Sequence, residues 1–205
     1  MIKLYSWPGS SGTRVAWALE ELGLPYEYVA LDAKQGEHRS PEYLKLNPHG
    51  KVPALVDDDE RLFESGAMLL HLGARYGVEQ GLWPAGKGQA RADAICWTVW
   101  AMAELGPYIM QYLYHGLDTP VSFKPADRSK AAADYSHSQI DRLLAALEAR
   151  LEGREYLLGA FSLADVAAAS WLALGTMFGL TLDHYPRVAG WCKRCMERPA
   201  FKRAR

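Results

Sequence analysis

The run Val52-Pro53-Ala54-Leu55-Val56 constrains the fold of this chain more than any other short segment. A proline at the entrance to an apolar, β-branched stretch cannot donate to a sheet ladder. The stretch therefore belongs at a strand edge, with a cis bond before Pro53 that leaves the Val52 backbone open to an extended peptide. A turn follows at Asp57-Asp58-Asp59, then a brief strand Arg61-Leu62-Phe63, then Glu64-Ser65 ahead of Met68, Leu69, Leu72 and Tyr76 at helical spacing. Ser65 reads as the N-cap of that helix, whose spare N–H donors would hold a carboxylate. An open edge, an anion-binding helix start and an acid beside it together suit a small zwitterionic peptide.

The segments before this run set its context. Ile2-Lys3-Leu4-Tyr5-Ser6-Trp7 alternates as a half-buried strand, Pro8-Gly9 ends it, and Val15, Ala18, Leu19 and Leu22 follow on one helical face. Gly23-Leu24-Pro25 stops the helix. Tyr26 to Leu31 then forms a second strand, parallel to the first because a helix joins them. The polar segment from Asp32 to Gly50 holds one short helical piece, Pro41-Glu42-Tyr43-Leu44. The resulting order, βαβ-ββα, predicts an α/β thioredoxin-like domain over residues 1–78. Glycines and prolines break the periodicity over 79–87, which reads as a linker.

From 88 to 205 no strand pattern remains. Alanine- and leucine-rich stretches, one of which aligns Ile140, Leu143, Leu144, Leu147 and Leu151, predict an all-α helical bundle. Ser162-Leu163-Ala164-Asp165 carries the spacing of a capping box.

Several function classes drop out on composition. A net charge of -1 without basic clusters argues against nucleic acid, and no apolar run reaches membrane-spanning length. The N-terminus enters a strand without a leader pattern, and three cysteines, an odd number, fit a reducing compartment, so a cytoplasmic protein is expected. Cys192-Lys193-Arg194-Cys195 lacks a second cysteine pair and lies in a helical pattern, which makes its spacing a coincidence. The six histidines show no metal-ligand spacing, so no metal is expected.

Taken together, Tyr5-Ser6-Trp7-Pro8-Gly9-Ser10-Ser11, Arg14-Val15, Asn47-Pro48-His49-Gly50-Lys51-Val52-Pro53, Glu64-Ser65 and Phe161-Ser162-Leu163-Ala164-Asp165 resemble the cytosolic glutathione transferases, of the serine-type, theta/delta/beta-like bacterial kind. The resemblance covers nearly the whole chain. It implies that glutathione is the co-substrate, with Val52 and Pro53 meeting its cysteinyl part and Glu64 and Ser65 its γ-glutamyl end. Lys51 is either a partner of the glycyl carboxylate or a solvated surface lysine.

The resemblance also implies a hydroxyl that keeps the glutathione sulfur ionised. Serine-type members carry it four residues before an arginine like Arg14, which points to Ser10; bacterial members with a cysteine carry it at the position of Ser11. Tyr5 ranks behind both. The lack of a cysteine at either position removes the main residue for mixed-disulfide chemistry. A small hydrophobic electrophile would sit between the domains, against Trp7, Tyr108 and Tyr112, although core packing explains these aromatics equally well. The implied activity is conjugation by substitution or addition. Alternatives are a glutathione-dependent lyase, isomerase or dehalogenase on the same fold, or a non-catalytic glutathione-binding protein. A homodimer, pairing the thioredoxin-like domain of one subunit with the helical domain of the other, is also implied.

Overall fold

Ile2, Leu4 and Ser6 are buried while Lys3 and Tyr5 are half-buried, the period-two pattern of a strand with one face on the core. In the computed structural model, which describes residues 1–204, this strand, β1 (Ile2–Ser6), is central. Helix α1 (Gly12–Leu22) carries the chain across to β2 (Tyr26–Ala30), parallel to β1 as the connecting helix requires. After a 3-10 turn at Glu37–Arg39 and the short helix α2 (Pro41–Leu44), β3 (Ala54–Asp57) runs antiparallel to β1 and β4 (Glu60–Phe63) antiparallel to β3. The sheet order is β2-β1-β3-β4. Helix α3 (Ser65–Leu72) follows and continues into a π turn at Gly73–Gly77. This is the expected thioredoxin-like α/β arrangement.

Three local expectations are corrected. Val52 and Pro53 precede β3 rather than opening it, because the ladder with β1 begins at the pair Tyr5↔Ala54. The Val52–Pro53 bond is cis. Asp57 ends β3 instead of starting the turn, and Ser65 is the first helical residue of α3, with Glu64 in the cap position.

Two compact units are present: Met1–Gly86 with the segment that starts at Glu197, and Lys87–Met196. Within the first, α1 buries Val15, Trp17, Ala18, Leu19 and Leu22 and stops at Gly23, whose φ of 64° suits glycine. Its outer face receives the end of the chain. Phe201, on the last helix (Pro199–Arg203), packs 4.8 Å from the Trp17 ring, and Arg198 grips Glu21 with two bonds of 2.6 and 2.7 Å. The described residues from Glu197 to 204 belong to the first unit. The stretch read as a linker is likewise anchored. Trp83 is buried over Gly73 and Gly77, where an added Cβ would stand 2.6 and 2.8 Å from it.

The second unit contains α4 (Gln89–Trp100), which passes through a π turn at Ala101–Leu105 into α5 (Gly106–His115), then α6 (Lys130–Arg150), α7 (Leu163–Met177) and α8 (Pro186–Glu197). Ile140, Leu143, Leu144, Leu147 and Leu151 are all buried, as their spacing predicts. The capping box at Ser162 and Asp165 is formed. No helix among the described residues is long and apolar enough to cross a membrane.

Candidate active site

Tyr5, Ala54 and Phe63 lie side by side on β1, β3 and β4. With β3 antiparallel to both neighbours, the C-terminal end of β1, the N-terminal end of β3 and the C-terminal end of β4 share one edge of the sheet. The segments leaving that edge are Trp7–Ser11, Lys51–Pro53 and Glu64–Ser65. The first unit therefore gathers at one place the residues that the sequence reading had selected from three distant segments.

At the first of these, the two serines differ in how their hydroxyls are used. Ser10 Oγ donates to the Trp7 carbonyl (2.7 Å), lies 2.7 Å from Ser6 Oγ, and accepts from the Gly12 amide (3.2 Å). A serine has one hydroxyl proton. With that proton on Trp7 O, Ser6 must be the donor in the serine pair, and Ser10 is committed to shaping the start of α1. Ser11 holds the cap position of α1 and its side chain makes no cap bond, so its hydroxyl is available at the positive end of the helix. Gly12 makes this turn possible: a Cβ there would stand 2.0 Å from Ser6 Oγ.

The second segment is held from behind. The Lys51 carbonyl accepts from Tyr43 Oη and from Asn47 Nδ2, both at 2.6 Å, and Asn47 Oδ1 accepts from the His49 amide at 3.1 Å. This buried asparagine folds the loop over itself and delivers Val52 ahead of the ladder, with its backbone outside the β1–β3 pairing. Lys51 itself is exposed. His38 packs edge-on to Trp7 with 5.4 Å between ring centroids, and its Nδ1 is buried without a hydrogen-bond partner.

At the third segment Glu64 is exposed and has a φ of 68°, a left-handed conformation that costs a non-glycine residue about 1 kcal/mol or more. Ser65 is buried, and its Oγ accepts from Arg14 Nη1 at 3.1 Å. Burial lowers the Arg14 pKa to about 9, which leaves it a cation at neutral pH. Sequence reasoning used Arg14 only as a marker for Ser10. Its signal was a charged residue in register with Ala18 and Leu22 on the apolar face of α1. Tyr43 and Asn47 were missed as supports of Lys51, since nothing local reveals which carbonyl they reach.

Tyr108 and Tyr112 lie in the second unit on α5, half-buried, and turn their rings to α6: Tyr108 to Tyr135 at 6.0 Å and Tyr112 to His137 at 5.1 Å between centroids. Cys192 and Cys195 are buried in α8, and burial pushes the Cys192 thiol up to about 12, which suits packing rather than redox exchange. One group among the described residues has metal-ligand spacing, Asp57, Glu60 and His71, with ligand atoms within 4.8 Å of one another. The Arg75 guanidinium bridges Glu60, Asp58 and Asp57, Tyr76 Oη donates to Asp57 at 2.8 Å, and His71 Nε2 lies 2.8 Å from Asp57 Oδ2, so these groups are paired with one another.

Comparison with known proteins gives consistent matches. The N-terminal domain family of glutathione S-transferase matches residues 1–74, and the C-terminal domain family matches residues 107–199. A disulfide-bond oxidoreductase of Escherichia coli, YfcG, is 31% identical, covering 100% of this chain and 94% of its own length. The glutathione S-transferase GstB of the same organism is 33% identical, with 99% and 97% covered. Among solved structures, the glutathione transferase URE2P6 of Phanerochaete chrysosporium, in complex with oxidized glutathione, superposes with a TM-score of 0.87 at 31% identity, covering 99% of this chain and 94% of that one.

Proposed function

The chain belongs to the glutathione transferase family, and we propose that its first unit binds glutathione, that Ser11 keeps the glutathione sulfur ionised, and that the thiolate attacks a small hydrophobic electrophile by substitution or addition. The observation that carries this reading is the division of labour between the serines: the Ser10 proton is spent on Trp7 O, whereas the Ser11 hydroxyl is free at the start of α1. A thiol with an ordinary pKa of about 8.5 is largely protonated at neutral pH. A hydrogen bond to the anion contributes about 1.5 to 3 kcal/mol and a helix start about 0.3 to 1, together enough to lower that pKa by one to about three units.

The Val52 backbone is suited to the cysteinyl part of the tripeptide, Glu64 and Ser65 to its γ-glutamyl end, and Lys51 and His38 to the glycyl carboxylate. Tyr108 and Tyr112 are assigned to the electrophile, whose binding is chiefly a matter of positioning. A homodimer in the cytoplasm completes this reading.

A second reading is supported by the likeness to YfcG and to a neighbour holding oxidized glutathione. The same thiolate would attack a disulfide sulfur and expel one thiol; a second glutathione would then resolve the mixed disulfide, giving oxidized glutathione and the other thiol. Ser11 has the same role in both.

Wild type, Ser10→Ala and Ser11→Ala are to be assayed from pH 5.5 to 9.5 for conjugation of 1-chloro-2,4-dinitrobenzene and for reduction of hydroxyethyl disulfide. Ser11→Ala is expected to move the pH midpoint up by about one to two units, the equivalent of one hydrogen bond to an anion. The substrate turned over faster selects between the two chemistries. A midpoint that moves only in Ser10→Ala refutes the assignment to Ser11.

A further inference from the structure

We propose that residues 198–203, at the end of the chain, form a clamp that docks and releases together with α1, so that the glutathione site exists only while the clamp is closed. This rests on the reading of the start of α1 as part of that site and adds a device that controls it.

Helix α1 is built with its charges the wrong way round. Its last turn holds Glu20 and Glu21 and no basic residue, and its first turn holds no acid. An acid at the C-terminal end of a helix meets the negative pole of the macrodipole, which opposes it. The Glu21 side chain is also only 6% exposed, and a buried carboxylate without a counter-charge is strongly destabilising. At 11 residues the helix is marginal on its own.

The correction comes from the far end of the sequence. Trp17, Glu20 and Glu21 are spaced i, i+3 and i+4, which puts them on one side of α1. Each meets one residue of the terminal segment. Arg198 holds Glu21 through Nε at 2.6 Å and Nη2 at 2.7 Å, the Phe201 ring packs 4.8 Å from that of Trp17, and Arg203 Nε donates to Glu20 Oε2 at 2.5 Å. Trp17 Nε1 donates to Glu21 Oε1 at 2.9 Å and so joins the ring contact to the ion pair. Trp17 and Phe201 are buried, whereas the Arg203 pair is partly exposed, so Arg198 and Phe201 carry the clamp.

The terminal helix is five residues long and equally unable to stand alone. Each partner supplies what the other lacks, so the two open as one cooperative unit. Ser11 and Gly12 head α1, and an open clamp therefore loses the helix start assigned to the sulfur. Linkage makes the effect mutual: glutathione, which needs α1 in place, holds the clamp shut.

Amide hydrogen exchange of the full chain, read by mass spectrometry with and without saturating glutathione, tests this. In wild type, α1 and residues 198–204 are expected to show the same protection, lower than that of α7, and glutathione to raise both by the same factor. Arg198→Gln leaves Glu21 buried without its counter-charge and is expected to speed exchange of both segments about tenfold or more. The Glu21→Gln/Arg198→Gln double variant, with the carboxylate gone, is expected to restore most of the wild-type protection.

Glutathione that protects α1 but not the terminal segment overturns the proposal while leaving the site in place. So does unequal protection of the two in wild type, protection equal to that of α7, or a double variant no better than Arg198→Gln. A wild type that binds no glutathione by calorimetry overturns the site and the clamp's hold over it. Should Arg198→Gln fail to fold, Arg198→Lys carries the test: the charge stays and the fork is lost, so exchange is expected to quicken in both segments alike, and a rise in one alone overturns the proposal.

Discussion

Replacing Asp165 by asparagine keeps the side-chain shape and tests how much of the helical unit depends on one buried carboxylate. Asp165 Oδ1 accepts from the Leu157 amide at 2.9 Å and from Trp191 Nε1 at 2.8 Å, while Oδ2 accepts from the Ser162 amide and Ser162 Oγ, both at 2.9 Å. It thereby ties the start of α7 both to the preceding loop and to α8. An asparagine amide presents an NH₂ on one side, so two of these donors face a donor whichever way it turns. Each loses roughly 1 to 3 kcal/mol, offset in part because a neutral amide is easier to bury than a charge, which gives a net loss of about 3 kcal/mol.

For a chain of this length that loss lowers the melting temperature by roughly 6 to 12 °C. Urea and thermal unfolding of wild type and Asp165→Asn at matched pH measure it. Burial raises the Asp165 pKa from 3.8, with the four donors pulling it back. Its ionisation-linked stability is therefore fully present below 3.8 and is lost as pH rises through the folded value, so the gap between the two proteins should narrow from acid towards neutral pH. A variant within about 1 kcal/mol of wild type at every pH refutes the claim that these donors depend on the carboxylate.

Other consequences are open to direct measurement. Gly12→Ala places a Cβ 2.0 Å from Ser6 Oγ and is expected to cost at least about 3 kcal/mol, with partial recovery in the double variant with Ser6→Gly; urea unfolding of both checks it. Asn47→Ala removes one of the two 2.6 Å donors to the Lys51 carbonyl, leaving Tyr43 Oη, and should weaken glutathione binding about tenfold by calorimetry, with a lowered melting temperature. Of the three cysteines, only exposed Cys96 should react quickly with a thiol reagent in the native protein, since Cys192 is buried with its thiol pushed up to about 12 and Cys195 is buried beside it in α8; mass spectrometry of the labelled protein reads this out.

Much of the architecture was legible because periodicity and turn chemistry are local. The alternation through Ile2, Leu4 and Ser6, the stop at Gly23, the proline ahead of Ala54 and the Ser162–Asp165 spacing each act within a few residues, and each appears in the structure as the chain order implies. The three segments of the candidate site are legible in the same way, as short motifs near the ends of strands. Their exact element boundaries were less so. Val52 and Pro53 read as strand residues by composition, yet the first pairing partner opposite Tyr5 is Ala54, and only the assembled ladder determines that.

The allocation of hydrogen bonds was decided by the tertiary structure. Ser10 and Ser11 are the same residue type one position apart, and what separates them is that Ser6 Oγ and Trp7 O close around Ser10 once the turn before α1 forms. Arg14 and Ser65 are 51 residues apart and Glu21 and Arg198 are 177 apart, so no local pattern could pair them. A chain encodes by itself where its strands and helices begin and which residues could do chemistry. Which proton is spent, which hydroxyl is left over and which cation stands behind it follow from packing, because each polar atom has a fixed number of partners and only the folded molecule determines who reaches it first.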